Sequence, residues 1–431
     1  MKNFWKRLAN PSGVIIMGYD YDVLVIGAGP AGLAAAVSAS DNSASVVMVE
    51  REDRPGGILK QCIHDGFGVI RFGEKLSGPE YAARYIRMVE ERQIPIKTRT
   101  FVTHMSKQSQ GFQTQLVSRQ GVEQITCKSV ILASGCRERT AKQIFIQGSR
   151  PAGILTAGTA QYFVNMKGYL PVNRCVILGS GDIGLIMARR FTLEGASVEG
   201  VYEIKSEPSG LPRNISQCLE DFDIPLHLSH TVTKVTGENR LESVEVAQVD
   251  EHFQVIEGTK RTVPCDGLIL SVGLIPENEI AESLGVTIDP KTNGPLVDQQ
   301  LVTTVDGFFS CGNALHVNDL VDYVSESALI AGTNAARFAG RHRELKTIKQ
   351  SESLAYLVPQ SIDLSSEVEN MIFYFRPKRS SARGVLKVLN NGEVVFKKTL
   401  IHLNPAEMDR IELKAKIVRK LTGDIAFELE V

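Results

Sequence analysis

The chain has 431 residues, is 43% hydrophobic and 23% charged, and carries a net charge of −1. That length exceeds what one core usually serves, so two or three domains are expected; the charge balance excludes an electrostatic case for nucleic acid or an anionic membrane surface. No apolar run approaches the roughly 20 residues of a membrane span, and the seven cysteines show no metal-ligand spacing, which argues against a zinc or iron–sulfur site built from this chain alone and fits reduced thiols in the cytoplasm.

The first residues carry Lys2, Lys6 and Arg7, then the apolar stretch Gly13-Val-Ile-Ile-Met17, too short for a signal-peptide core. The globular pattern begins just after Met17. The expectation is therefore a native start at Met17, with residues 1–16 a dispensable extension and the first domain opening near residue 20.

Tyr21-Asp-Val-Leu-Val-Ile26 is a short β-branched apolar run, the mark of a strand buried in a parallel sheet. It enters Gly27-Ala-Gly-Pro-Ala-Gly32, a helix over Leu33–Ser40, and a second strand ending in Glu50. The same order recurs 152 residues later: strand Arg174–Leu178, Gly179-Ser-Gly-Asp-Ile-Gly184, helix Leu185–Glu194 and a strand ending in Glu203. The repeat implies two Rossmann-like domains.

Between the copies lie a helix over Gly78–Gln93, an extended stretch over Ile94–Thr103 and a strand over Ser129–Ala133. Asp266–Gly273 reads as the last strand of the second copy. The chain then returns to the first domain through a strand entering Gly312 and a helix over Ser325–Ala339. After Arg343 a Lys/Glu-rich linker leads to strand-like segments at Met371–Phe375, Gly384–Leu389, Glu393–Leu400 and Ile425–Val431, with Asn391-Gly392 as a type I′ hairpin turn. The expected architecture is α/β: two Rossmann-like dinucleotide-binding domains, the second inserted in the first, plus a small C-terminal β module. The boundaries read as 20–150 and 273–342 for the first domain, 151–272 for the second and 355–431 for the module.

In each glycine motif the first glycine permits a tight turn, the second lets a pyrophosphate approach the backbone, and the third lets helix pack on strand. The helix start supplies free N–H groups and partial positive charge for the phosphates. Gly27, Gly29 and Gly32, with Pro30 and Ala31 between them, form the first such site. Glu50, eighteen residues past Gly32, is placed to take ribose hydroxyls, with Arg51 beside it. Gly179, Gly181 and Gly184, with Asp182 and Ile183, form the second. Glu203 lies nineteen residues past Gly184. A carboxylate there bonds a free 2′-hydroxyl and repels a 2′-phosphate, which favours NAD(H) over NADP(H), although Lys205 is close by.

With these motifs the chain resembles the FAD-dependent pyridine-nucleotide oxidoreductases with two dinucleotide-binding domains, over about residues 20–342. The other markers are Pro55-Gly-Gly57, Ala133-Ser-Gly135, Val272-Gly-Leu-Ile-Pro276 and Phe309-Ser-Cys-Gly312-Asn313. The resemblance implies FAD at the first glycine set, with Gly57, Ser134, Gly135, Gly312 and Asn313 contributing, and a nicotinamide nucleotide at the second, with Gly273 contributing. Asn313 stands where the family commonly has Asp, keeping an acceptor oxygen but losing the charge. The disulfide branch of the family needs paired cysteines near the flavin, as CxxC or Cx₄C; neither spacing occurs, so disulfide reductase is rejected.

Gly56-Gly-Ile-Leu-Lys-Gln-Cys-Ile-His64, Leu155-Thr-Ala-Gly-Thr-Ala-Gln161 and Val321-Asp-Tyr-Val-Ser-Glu326 carry a narrower resemblance, to the FAD/NAD-binding subunits of opine oxidase, sarcosine oxidase, hydrogen cyanide synthase and glycerol-3-phosphate-type dehydrogenase complexes. It implies hydride transfer between nicotinamide and flavin, with a separate flavoprotein dehydrogenase subunit oxidising substrate. No cysteine follows Cys311, so any iron–sulfur cluster comes from a cysteine-rich partner. Cys62 and His64 fall in a segment that passes near the flavin in this family. They are either catalytic, gating hydride transfer or relaying a proton, or simple loop packing. His316 precedes the late helix, whose start points at the flavin in this family, and its role stays open. Two rival functions also stay open: a self-sufficient NADH-dependent reductase of a small acceptor, and a structural subunit stabilised by its FAD.

Overall fold

The computed structural model describes residues 18–340, 342–367 and 369–431. The expected start at Met17 and the extension before it lie outside the described residues.

The first glycine copy builds a seven-stranded sheet. Its parallel part runs Ile96–Lys97, Val46–Val49, Tyr21–Ile26, Gly121–Leu132 and Phe308–Ser310. The central strands are apolar on both faces because both are covered: Pro30–Asp41 and Val321–Arg337 pack together over one face. Sequence reading missed the antiparallel meander of Phe101–Lys107, Phe112–Ser118 and Gly121–Leu132, whose alternating polar residues carry no long apolar run.

The second copy forms a five-stranded parallel sheet in the order Ile154–Thr156, Gly267–Leu270, Arg174–Leu178, Ser197–Glu203 and Leu226–Leu228. A smaller sheet, Gln147–Gly148, His230–Thr236, Ser243–Gln248 and Arg261–Pro264, covers one of its faces. The sheet lies in sequence between strands of the first, as an inserted unit must. The chain crosses between them twice, and the crossings pair as a two-stranded antiparallel ribbon, Cys136–Glu138 with Leu274–Pro276.

The C-terminal β module differs from expectation at its start. Its strands begin at Leu345–Thr347, not at 355, because the Lys/Glu-rich linker hides two short edge strands around the buried Ile348. The hairpin of Ser381–Asn390 and Glu393–Leu403 turns as expected at Asn391 and Gly392, with φ of 51° and 83°. The module has its own core around Phe373, Phe375 and Phe427, but Tyr356 and Val358 belong to the core of the first unit. Glu326 on the late helix accepts hydrogen bonds from Tyr374 Oη (2.6 Å) and from Arg410 Nε and Nη2 (2.8 and 2.7 Å). Asp319 pairs with Arg376 at 2.6 Å. The module is thus docked on the segment that opens the late helix.

Candidate functional site

The two glycine turns share their backbone conformation at the first glycine. Gly27 and Gly179 have φ of 99° and 94°. A Cβ on Gly27 would lie 2.4 Å from the Ala133 carbonyl oxygen, and on Gly179 2.1 Å from that of Ser271. Only glycine fits where the turn crosses the neighbouring strand end this closely. Gly32 and Gly184 sit against the carbonyl oxygens of Gly27 and Gly179.

Each following helix starts at the middle glycine, Gly29 or Gly181, which offers no side-chain cap, although in the second Gly184 N–H donates to Ser271 Oγ at 3.2 Å. By contrast, the helix Gly78–Glu91 has a full capping box from Ser77 and Glu80. Uncapped N–H groups on a glycine turn are what a pyrophosphate requires. A Cβ on Gly29 would meet nothing nearer than the Gly57 Cα at 3.8 Å, so the face of the turn is open to a ligand. Pro30 and Ala31 form the first helical turn.

The two acids are buried and held alike. Ala28 N–H donates to Glu50 Oε2 at 2.7 Å, and Ser180 N–H to Glu203 Oε2 at 2.9 Å. Glu52 N–H donates to Glu50 Oε1 at 2.8 Å, and Lys205 N–H to Glu203 Oε1 at 3.1 Å. Each carboxylate retains lone pairs for ribose hydroxyls. Ser180 adds a hydroxyl bond of 2.6 Å to Glu203 that has no counterpart at Ala28.

Other expected residues gather around the first turn. Gly57 rests on Gly29, and Gly56 N–H bonds the Ala28 carbonyl at 2.8 Å. Gly312 packs against Ala31 of the first helix. Ser134 Oγ donates to the Glu277 carbonyl at 2.6 Å, Glu277 N–H to the Gly135 carbonyl at 3.0 Å, and Arg51 pairs with the Glu277 side chain at 2.8 Å. Glu277 therefore ties three expected residues together; it went unread because it follows the ribbon, far away in sequence. Asn313 Oδ1 accepts the Asn318 N–H at 3.0 Å, and its Nδ2 approaches Cys136 Sγ at 3.5 Å.

Around the second turn, Asp182 fastens a loop. Its Oδ1 accepts Leu211 N–H at 2.8 Å and Asn214 Nδ2 at 2.7 Å. Ile183 packs on the core of that unit, and Gly273 accepts Arg139 N–H at 3.1 Å beside the ribbon. A cleft of about 570 Å³ opens at the strand ends Thr156 and Leu270, with Lys142 and Arg150 in its wall. Ligands of open parallel sheets bind in such crevices.

Cys62 and His64 are not brought together as a pair. Cys62 lies where the 3₁₀ turn Gly57–Gln61 meets the helix starting at Ala157: Gln61 Nε2 donates to the Gly158 carbonyl at 2.8 Å and to Gln161 Oε1 at 3.1 Å. Its sulfur faces the Ile58 carbonyl at 3.4 Å, and burial pushes the thiol up to about 11. His64 leans on Phe67, ring centroids 4.9 Å apart, with Nδ1 3.2 Å from the Asp65 carbonyl oxygen. His316 is fully buried between Tyr356 and Tyr374, with ring centroids 5.8 and 5.3 Å away. Burial, then the nearby Arg376 charge, lowers it to about 3.

The family model for pyridine nucleotide-disulphide oxidoreductases matches residues 21–332. The hydrogen cyanide synthase subunit HcnB of Pseudomonas aeruginosa is 25% identical over 354 residues, covering 77% of this chain and 72% of that one. An opine oxidase subunit from Agrobacterium tumefaciens is 24% identical over 347 residues, covering 74% of this chain and 64% of that one. The solved structure of thioredoxin reductase from T. acidophilum has the same fold, with a TM-score of 0.62 at 21% identity over 74% of this chain and 99% of that one. Two glycine turns, two buried acids and one family match over most of the length agree: the chain belongs to the pyridine nucleotide-disulphide oxidoreductase family.

Proposed function

We propose that the chain binds FAD at the first glycine turn and a nicotinamide dinucleotide, NAD(H) in preference to NADP(H), at the second, and transfers hydride between them as the electron-transfer subunit of a multi-subunit dehydrogenase or oxidase. The observation that carries the reading is the repeated acid–amide arrangement, Ala28 with Glu50 and Ser180 with Glu203. Each unit retains its own phosphate turn and its own ribose acceptor. FAD, when bound, supplies the acceptor or donor of the nicotinamide hydride. The chain's own residues bind phosphates at Gly29 and Gly181, orient riboses at Glu50 and Glu203, and hold the two units together through Gln61.

The family includes disulfide reductases, so their exclusion here rests on the cysteines. All seven are free, and burial pushes Cys62 and Cys136 up to about 11 and Cys311 up to about 12. None is tuned as a thiolate. Cys62 and His64 are assigned to packing rather than chemistry. The relatives named as subunits support a partner subunit; the proposed partners are a flavoprotein dehydrogenase and a cysteine-rich iron–sulfur protein, and the proposed compartment is the cytoplasm. Among the described residues, no helix is long and apolar enough to cross a membrane.

The test is anaerobic addition of NADH to the flavin-loaded chain. Bleaching of the visible flavin band supports both sites and the transfer. A flavin that stays oxidised with NADH and NADPH alike overturns the proposal in favour of a structural role within a complex.

A further inference from the structure

The β module reaches the second nucleotide unit. Ser380 Oγ donates to Glu207 Oε2 at 3.2 Å, and Glu207 lies four residues beyond the ribose acid Glu203. The loop that carries Glu207 is fastened on both sides of it. Lys205 N–H bonds Glu203, Ser209 N–H bonds Ser180 Oγ at 2.8 Å, and Leu211 N–H bonds Asp182. In a Rossmann unit this loop borders the adenosine ribose, where a cation can receive a 2′-phosphate.

The facing loop of the β module is Lys378-Arg379-Ser380, and all three residues are exposed. The two module arginines that face the late helix are engaged, Arg376 with Asp319 and Arg410 with Glu326. Neither Lys378 nor Arg379 forms an ion pair among the described residues, and neither does Lys205. Glu203, meanwhile, accepts three hydrogen bonds from its own chain and is 4% exposed, so a 2′-phosphate beside it needs cations from elsewhere to offset its charge.

We propose that the Lys378–Ser380 loop is the outer wall of the second dinucleotide site, and that Lys378 and Arg379, together with Lys205 two residues before Glu207, receive the 2′-phosphate of NADP(H). The chain then accepts both nucleotides: NAD(H) through Glu203, and NADP(H) through a wall lent by the β module. This rests on the proposed nicotinamide site and adds its selectivity.

The experiment is calorimetric binding of NAD+ and NADP+ to the full flavin-loaded chain, in the wild type and in a K378A/R379A variant. Wild-type protein should bind both. The double variant should lose about tenfold or more in NADP+ affinity, the loss expected for one or more charge-assisted contacts, with NAD+ affinity unchanged. The Ser380→Ala variant should show a smaller loss of the same sign. Flavin content and unfolding midpoint confirm that the variants fold. NADP+ affinity unchanged in the double variant, equal loss for both nucleotides, or no NADP+ binding by the wild type overturns the inference. Binding without bleaching by either reduced nucleotide instead overturns the hydride-transfer reading and leaves the wall standing.

Discussion

Ser180 gives Glu203 two hydrogen bonds to a single oxygen, one from its amide at 2.9 Å and one from its hydroxyl at 2.6 Å. The same hydroxyl accepts the Ser209 amide, so one side chain couples the ribose acid to the loop beyond it. Glu203→Gln should raise the half-saturating NADH concentration for flavin reduction roughly tenfold, since a charged acceptor is lost. Flavin content should not change, because Glu203 lies in the other unit from the glycine turn proposed for FAD. Ser180→Ala should lower stability by about 1–2 kcal/mol in urea unfolding, the cost of a lost buried bond and an unsatisfied Ser209 amide.

The first glycines of the two turns should separate the two sites by mutation. Each has positive φ and a carbonyl oxygen within 2.4 Å of where a Cβ would stand. Gly179→Ala should abolish NADH-driven bleaching while flavin remains bound. Gly27→Ala should lose the flavin itself. Visible absorbance of the purified variants, before and after NADH, checks both.

Cys62 is the clearest test of whether chemistry resides in the joint between the units. With its thiol pushed up to about 11, it is protonated at neutral pH. Cys62→Ser and His64→Ala should each reduce flavin at the wild-type rate in stopped flow. Alkylation of Cys62 by iodoacetamide should be slow at pH 8. A large fall in rate in either variant would restore the catalytic reading.

Acid should find His316. Its folded value is about 3 against an ordinary 6.5, so between those values the unfolded chain binds the extra proton and the folded one does not. Stability should therefore be full above about pH 6.5 and fall as pH drops towards 3, by up to about 1.4 kcal/mol per pH unit from this residue. Urea midpoints measured across that range, with His316→Phe as comparison, should show a shallower fall in the variant.

Docking of the β module should prove inseparable from flavin binding. Tyr356 and Val358 complete the first unit's core, and Glu326 holds both Tyr374 and Arg410. A chain ending at Gly340 should be insoluble or flavin-free. Glu326→Ala should destabilise by about 1.5–3 kcal/mol, since it strands a guanidinium and a phenol. Thermal unfolding followed by flavin fluorescence reads the effect.

Much of this was legible in the sequence because glycine turns and apolar strands are local signals. Gly27, Gly179, Glu50 and Glu203 announce themselves within a single strand–turn–helix–strand segment. Glu277 and Gln61 do not, since their partners lie far away in the chain and their residue types are common on surfaces. The meander at Phe101–Ser118 alternates polar and apolar residues too weakly to stand out beside the parallel core. The module's early start was hidden by charged residues on exposed edge strands at Leu345–Thr347. The contact of Ser380 with Glu207 joins two exposed loops of ordinary composition, which no local pattern marks.

The ribbon of Cys136–Glu138 with Leu274–Pro276 sets where the inserted unit begins and ends. Because entry and exit are hydrogen-bonded neighbours, the host loses little continuity if everything between them is removed. A short turn joining the ribbon's strands should leave a flavin-binding remnant, and a foreign unit with adjacent termini should graft onto the same two strands. In that sense the inserted unit is a cartridge, and, on the proposed reading, exchanging it offers a route to a new electron donor without rebuilding the first glycine turn.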